Sequence, residues 1–211
     1  MYQKLDLPAK LSSNENLKSR PPSLLNALTE IPRTLLDIGA LCLSAPFLAS
    51  MPRGDGHPVM VLPGFMASDQ STAVLRGYLK QLGYDSMGWE LGQNSGRFEI
   101  IHHILIARFL EAVEECGDKI TLIGQSLGGV YARELARLFP DKVRQVITLG
   151  SPFGVVNGTA ANPLVRSLFE IQSGLSIEEM REAIYEMDPH KTPPVPLTAI
   201  FSKGDGVVNW R

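Results

Sequence analysis

The sequence predicts an α/β fold built on a mainly parallel twisted sheet with helices on both faces, and three observations carry that prediction. Short apolar, β-branched runs recur at residues 58–62, 119–123, 143–149 and 197–201, with helical stretches between them. The first run, Pro58-Val59-Met60-Val61-Leu62, is apolar throughout, as a strand buried on both faces should be. A length of 211 residues suits one domain with a sizeable core.

Taken in order, residues 1–22 read as a polar lead-in and residues 23–211 as a single domain. Residues 24–48 predict one or two helices packed on that domain. The most apolar part, residues 35–49, carries Asp37 and is shorter than the ~20 residues of a spanning helix. Membrane or lipid-surface contact is left open. Pro52 to Gly56 form a turn into the first strand, and Pro63-Gly64 breaks it. Residues 71–82 read as a helix stopped by Gly83, residues 84–89 as a strand, and residues 92–96 as a polar loop.

The next helix spans residues 98–116, with Ile101, Ile104, Phe109 and Val113 on its apolar face and Gly117 as its stop. A strand at 119–123 and a helix at 129–139 follow. Pro140-Asp141-Lys142 then turns the chain into the strand at 143–149. Residues 153–196 are too long for a plain connection. Ser176 and Glu179 form a capping box there, and Ile177, Met180, Ile184 and Met187 an apolar stripe. This segment predicts a small helical cap, or lid. Residues 197–201 make the last strand and run into Ser202-Lys203-Gly204-Asp205.

The bulk properties exclude some functions. A net charge of −2 without a cluster of lysines and arginines argues against nucleic acid as partner. Cys42 and Cys116 lack metal-ligand spacing and read as reduced, mostly buried thiols, so no metal is expected. The N-terminus lacks the charged-then-apolar order of a secretory signal, which predicts a cytoplasmic protein. Gly124 to Gly129 lacks the lysine of a P-loop, and no G-x-G-x-x-G follows a strand, so no nucleotide cofactor is expected.

Gly124-Gln125-Ser126-Leu127-Gly128 lies between an apolar strand and a helix. A serine on so sharp a turn is exposed for nucleophilic attack, and the crowding asks for glycine two residues before and two after it. Such a serine needs a base, and the histidines are poorly placed. His57 begins its strand, five residues or ~17 Å from the strand's C-terminal end. His102 and His103 fall within a helix and read as a surface pair. His190 precedes the last strand and enters from the wrong end.

Three passages, His57 to Met66 (HPVMVLPGFM), Ile120 to Gly129 (ITLIGQSLGG) and Ile200 to Val208 (IFSKGDGVV), resemble the lipase/esterase branch of the α/β-hydrolase superfamily. Thr148 to Phe153 (TLGSPF) adds to the likeness. The resemblance implies hydrolysis of a small-molecule carboxylic ester through an acyl-enzyme on Ser126, with no cofactor. Leu127, the residue after the nucleophile, would give one oxyanion N–H, and Phe65, beside Gly64, the other. Asp205, in a Gly-Asp-Gly turn after a strand, would be the acid that orients the histidine.

The family's last strand, histidine loop and final helix are expected after Asp205 and are not found before Arg211. The chain is therefore expected to be a fragment of a longer enzyme. The alternatives are a pseudoenzyme binding acyl ligands and a histidine supplied by exchange of a C-terminal element. A thioesterase or acyltransferase would use the same residues.

Overall fold

Five strands form one sheet in the order β2-β1-β3-β4-β5, every neighbouring pair parallel: β1 (Pro58–Leu62), β2 (Asp85–Gly88), β3 (Ile120–Gln125), β4 (Val143–Leu149) and β5 (Leu197–Ile200). This computed structural model describes residues 40, 43–151 and 192–202. Helices α1 (Ala73–Gln81), α2 (Phe98–Cys116) and α3 (Leu127–Leu138) connect the first four strands, and residues 43–49 form a short helical segment ahead of β1. The lead-in, Cys42, His190, Asp205 and nearly all of the expected cap lie outside the described residues. Among the described residues, no helix is long and apolar enough to cross a membrane.

The sheet order fixes which face each helix covers. From β1 the chain steps outward to β2, then returns past β1 to β3 and continues to β4. Right-handed crossovers that travel in opposite directions put their helices on opposite faces. The packing agrees. Val59 and Val61 meet Leu75 and Leu79 of α1 on one face. Met60 and Leu62 meet Ile101, Leu105 and Phe109 of α2 and Tyr131 and Leu135 of α3 on the other. All five residues of β1 are buried, as its unbroken apolar run predicts.

Among the described residues, the predicted strands and connecting helices are present, several with shifted ends. β1, α2 and β4 have the expected bounds, and α2 ends on Gly117 at φ +66, whose N–H donates to the Val113 carbonyl at 2.9 Å. β2 is shorter than the predicted 84–89. The Trp89 N–H donates to the Asp69 carboxylate at 3.0 Å instead of extending the ladder. One prediction for α2 needs correction. Its buried stripe is Ile101, Leu105, Phe109 and Ala112, while Ile104 is 44% exposed. At ~100° per residue, Ile104 falls a quarter-turn off the stripe's centre and Leu105 on it.

Burial therefore ranks these neighbours. Leu105→Ala is expected to cost ~2–5 kcal/mol of unfolding free energy in urea titrations, and Ile104→Ala less than ~0.5 kcal/mol.

Candidate active site

The C-terminal ends of β1 and β3 lie side by side, Leu62 opposite Gly124 in the register, at the point where the chain's direction of travel across the sheet reverses. Loops leaving two such strands diverge to opposite faces and open a crevice, the usual ligand position in open α/β sheets. From β1 comes the loop Pro63 to Ala67. From β3 comes Ser126.

Ser126 is the only residue between β3 and α3. Its backbone takes φ +50 and ψ −119, a conformation costly for a side chain bearing Cβ. Its N–H donates to the Leu149 carbonyl at 2.8 Å, tying the turn to the end of β4, and its carbonyl accepts from Gly129 at 3.0 Å. The side chain is half-buried. The helix starts sooner than the predicted residue 129, so Leu127 occupies its first position. The Leu127 N–H has no partner among the described residues, as the first turn of a helix leaves it.

The turn is crowded enough to dictate its flanking residues. A Cβ on Gly124 would overlap the Gly128 carbonyl oxygen and the Gly129 backbone. A Cβ on Gly128 would overlap the Leu62 carbonyl and lie 2.7 Å from that of Pro63. Helix α3 thus starts against the exit of β1. Across the crevice, a Cβ on Gly64 would stand 3.3 Å from Ser126 Cβ, so the Phe65 loop passes directly beside the serine. Phe65 itself is half-buried against the core on the α2 and α3 face. Ser126, Leu127 and Phe65 are brought together. Asp205, the proposed acid, lies outside the described residues.

The loop beside Ser126 is anchored by a residue that the sequence reading passed over. Asn94, taken only as part of a polar loop, is fully buried. Its Nδ2 donates to the Pro63 carbonyl at 3.0 Å, and its Oδ1 accepts from the Gly96 N–H at 3.2 Å and the Tyr131 hydroxyl at 3.4 Å. Its carbonyl accepts from the Met66 N–H and its N–H donates to the Ala67 carbonyl, both at 2.8 Å. The only local signal was an asparagine between Gly92 and Gly96, both with positive φ.

His57 and His102 are engaged elsewhere. The His57 imidazole bonds Asp55 through Nδ1 and the Thr121 hydroxyl through Nε2 at 2.9 Å, near the start of β1. His102 corrects the expected surface pair: it is half-buried, 3.7 Å from Glu134 on α3, while His103 is exposed. Burial raises the Glu134 carboxyl above its ordinary value, and Arg137, at 3.0 Å, and His102 pull it partly back. On the α1 side, an apolar groove of about 690 Å³, lined by Leu48, Val61, Leu75, Tyr78, Gln125 and Leu149, adjoins the end of β3.

Two measurements follow from this geometry. Gly128→Ala should destabilise the fold by ~1–3 kcal/mol in urea titrations, because the new methyl has no room beside the Leu62 carbonyl. A raised carboxyl pKa means the folded state binds its proton more tightly, so this group's contribution falls as pH rises from 4.5 through the folded value. The stability of Glu134→Gln relative to wild type should therefore climb across that window and stay flat below it.

No protein-family model matches the chain, and no curated protein does. Solved structures do. The chain is similar to the metagenome-derived lipolytic enzymes LipS and LipT, at 17% identity and a TM-score of 0.52 over 74% of this chain and 76% of that one. It is similar to an alpha/beta hydrolase enzyme from the metagenome of lagoon sediments at Mar Chica, Morocco, at 20% identity and 0.51, over 75% and 74%. The Paleococcus ferrophilus monoacylglycerol lipase gives 13% identity and 0.50, over 75% and 78%. Likeness at these identities is likeness of backbone, and that backbone is the α/β-hydrolase fold.

Proposed function

We propose that this chain carries the nucleophile of a serine-dependent carboxylic ester hydrolase. The observation that supports the reading most directly is Ser126 itself, held at φ +50 between β3 and α3 beside the Leu127 N–H, which has no partner among the described residues. A strained backbone at a non-glycine residue persists where the surroundings over-determine it, and such residues cluster at reacting centres. Lipolytic activity among the proteins of similar fold supports the same reading.

The proposed chemistry assigns each residue a role. Ser126 Oγ attacks the ester carbonyl carbon while its proton passes to a histidine oriented by Asp205. The carbonyl oxygen gains the electron pair and is stabilised by the Leu127 N–H and the Phe65 N–H, one from α3 and one from the loop after β1. The start of α3 adds the positive end of its dipole. Collapse of the adduct breaks the bond to the alcohol, which leaves with the histidine's proton. Water then repeats the sequence on the acyl-enzyme and frees Ser126.

A second reading, a fold that binds acyl ligands without turning them over, draws on the histidines. His57 is engaged with Asp55 and Thr121, and His102 lies against Glu134. Turnover separates the two readings.

With the base histidine in place, hydrolysis of p-nitrophenyl butyrate is expected to fall at least ~10³-fold in Ser126→Ala. Equal rates in the variant and the wild type would remove the reading. Ser126→Gly should abolish turnover equally and raise unfolding stability by ~1 kcal/mol, because glycine adopts φ +50 without strain.

A further inference from the structure

We infer that Asn94 is a positioning residue that sets the gap between the two oxyanion donors; this rests on the reading of Ser126 as an acyl-transfer nucleophile. Those donors belong to different elements. Leu127 opens α3, and Phe65 sits in the loop leaving β1. An oxyanion hole needs both N–H groups within ~2.7–3.1 Å of one oxygen, so the loop and the helix must be held to each other to a fraction of an ångström.

Asn94 reaches both. Toward the loop, its side chain holds Pro63 on one side of Gly64-Phe65, and its backbone holds Met66 and Ala67 on the other. The dipeptide beside Ser126 is thus bracketed by bonds to one residue. Toward the helix, Asn94 Oδ1 accepts from the Tyr131 hydroxyl. Tyr131 lies four residues along α3 from Leu127, on the same face of that helix. The Pro63 carbonyl taken by Asn94 also stands against Gly128, so loop, asparagine and helix start form one packed unit.

Only an amide fits this place. Nδ2 meets a carbonyl and Oδ1 meets an N–H and a hydroxyl, so the group has one allowed orientation. A carboxylate of the same shape would turn an acceptor toward the Pro63 carbonyl and push the loop away. Misplacement of ~1 Å at a reacting centre costs ~10²-fold in rate. The loss should fall on transition-state stabilisation and leave ground-state binding alone.

The test uses butylboronic acid, which forms a tetrahedral adduct on the serine oxygen, read by boron NMR, beside kcat and KM for p-nitrophenyl butyrate. Adduct formation by wild type and its loss in Ser126→Ala is the baseline. In Asn94→Asp, the adduct should weaken by ~10²-fold and kcat fall by a similar factor, with KM within about twofold. Tyr131→Phe, which removes one hydroxyl, should weaken the adduct about threefold or more, and it decides the matter if Asn94→Asp does not fold. A Ser126-dependent adduct of wild-type strength in folded Asn94→Asp, or in Tyr131→Phe if that variant must decide, overturns the role of Asn94 and leaves the hydrolase reading standing. Equal binding by wild type and Ser126→Ala overturns the hydrolase reading, and this inference with it.

Discussion

Much of this molecule is arranged around a chain reversal completed at one residue. β3 ends at Gln125 and α3 begins at Leu127, so Ser126 alone turns the backbone, with φ at +50. A reversal this tight brings the start of α3 back over the end of its own strand. The bulk of any side chain at residues 124 or 128 would then collide with backbone. The strain of order 1–3 kcal/mol that such a conformation carries must be offset by burial nearby. Helix α3 supplies it: Leu127 through Ala136 are all buried, and Leu127, Val130, Tyr131, Ala132, Leu135 and Ala136 join the core formed with the sheet and α2. The Ser126 N–H bond to Leu149 closes the turn onto β4 as well.

The same reversal determines where the other loops can go. Because α3 starts against the Leu62 and Pro63 carbonyls, the loop from β1 is forced to leave alongside Ser126. That loop cannot be satisfied by sheet bonding, since β1 has ended and its neighbours diverge. Polar groups in it need partners of their own. Asn94 and, through the Met66 carbonyl, the Gln93 side chain provide them from the segment after β2. Asp69 completes the exchange in the other direction, its carboxylate accepting from the N–H groups of Trp89 and Glu90 at 3.0 Å each. The two loops at this end of the sheet hold each other in place.

What the sequence made legible follows from what short-range physics encodes. Apolar runs announced β1 and β4, helical spacing and Gly117 announced α2, and G-x-S-x-G between strand and helix announced the turn. Position on a helix was read less well: Ile104 and Leu105 are equally apolar, and only the angle to the sheet decides which is buried. Asn94 was illegible for a different reason. Its burial and its bonds to Pro63, Tyr131 and Ala67 come from segments about thirty residues away on either side, and a polar residue in a polar stretch looks solvated until the fold is known. Asp205 rests on its glycine-flanked turn after the last strand and on the resemblance, and stands as a proposal.

Asp55, His57 and Thr121 show why residue types alone do not make a site. Carboxylate, imidazole and hydroxyl are linked in series, Asp55 to Nδ1 and Nε2 to Thr121 Oγ1, the order a hydroxyl nucleophile would need. Yet Thr121 sits inside β3, paired with Val59 of β1 and, after a register shift at Ile120/Thr121, with Gln145 of β4, and it is 2% exposed. Attack would require a carbonyl carbon within ~3–3.5 Å of an oxygen that the sheet has enclosed. Thr121 lies within the strand, with no turn to lift its hydroxyl clear. At Ser126 the backbone is bent at a cost in strain, and the bend sets the serine beside the Leu127 N–H, which stands at the head of a helix and has no partner among the described residues. The same kind of hydroxyl is structural within the strand and available at its C-terminal end, and the difference is made by backbone geometry.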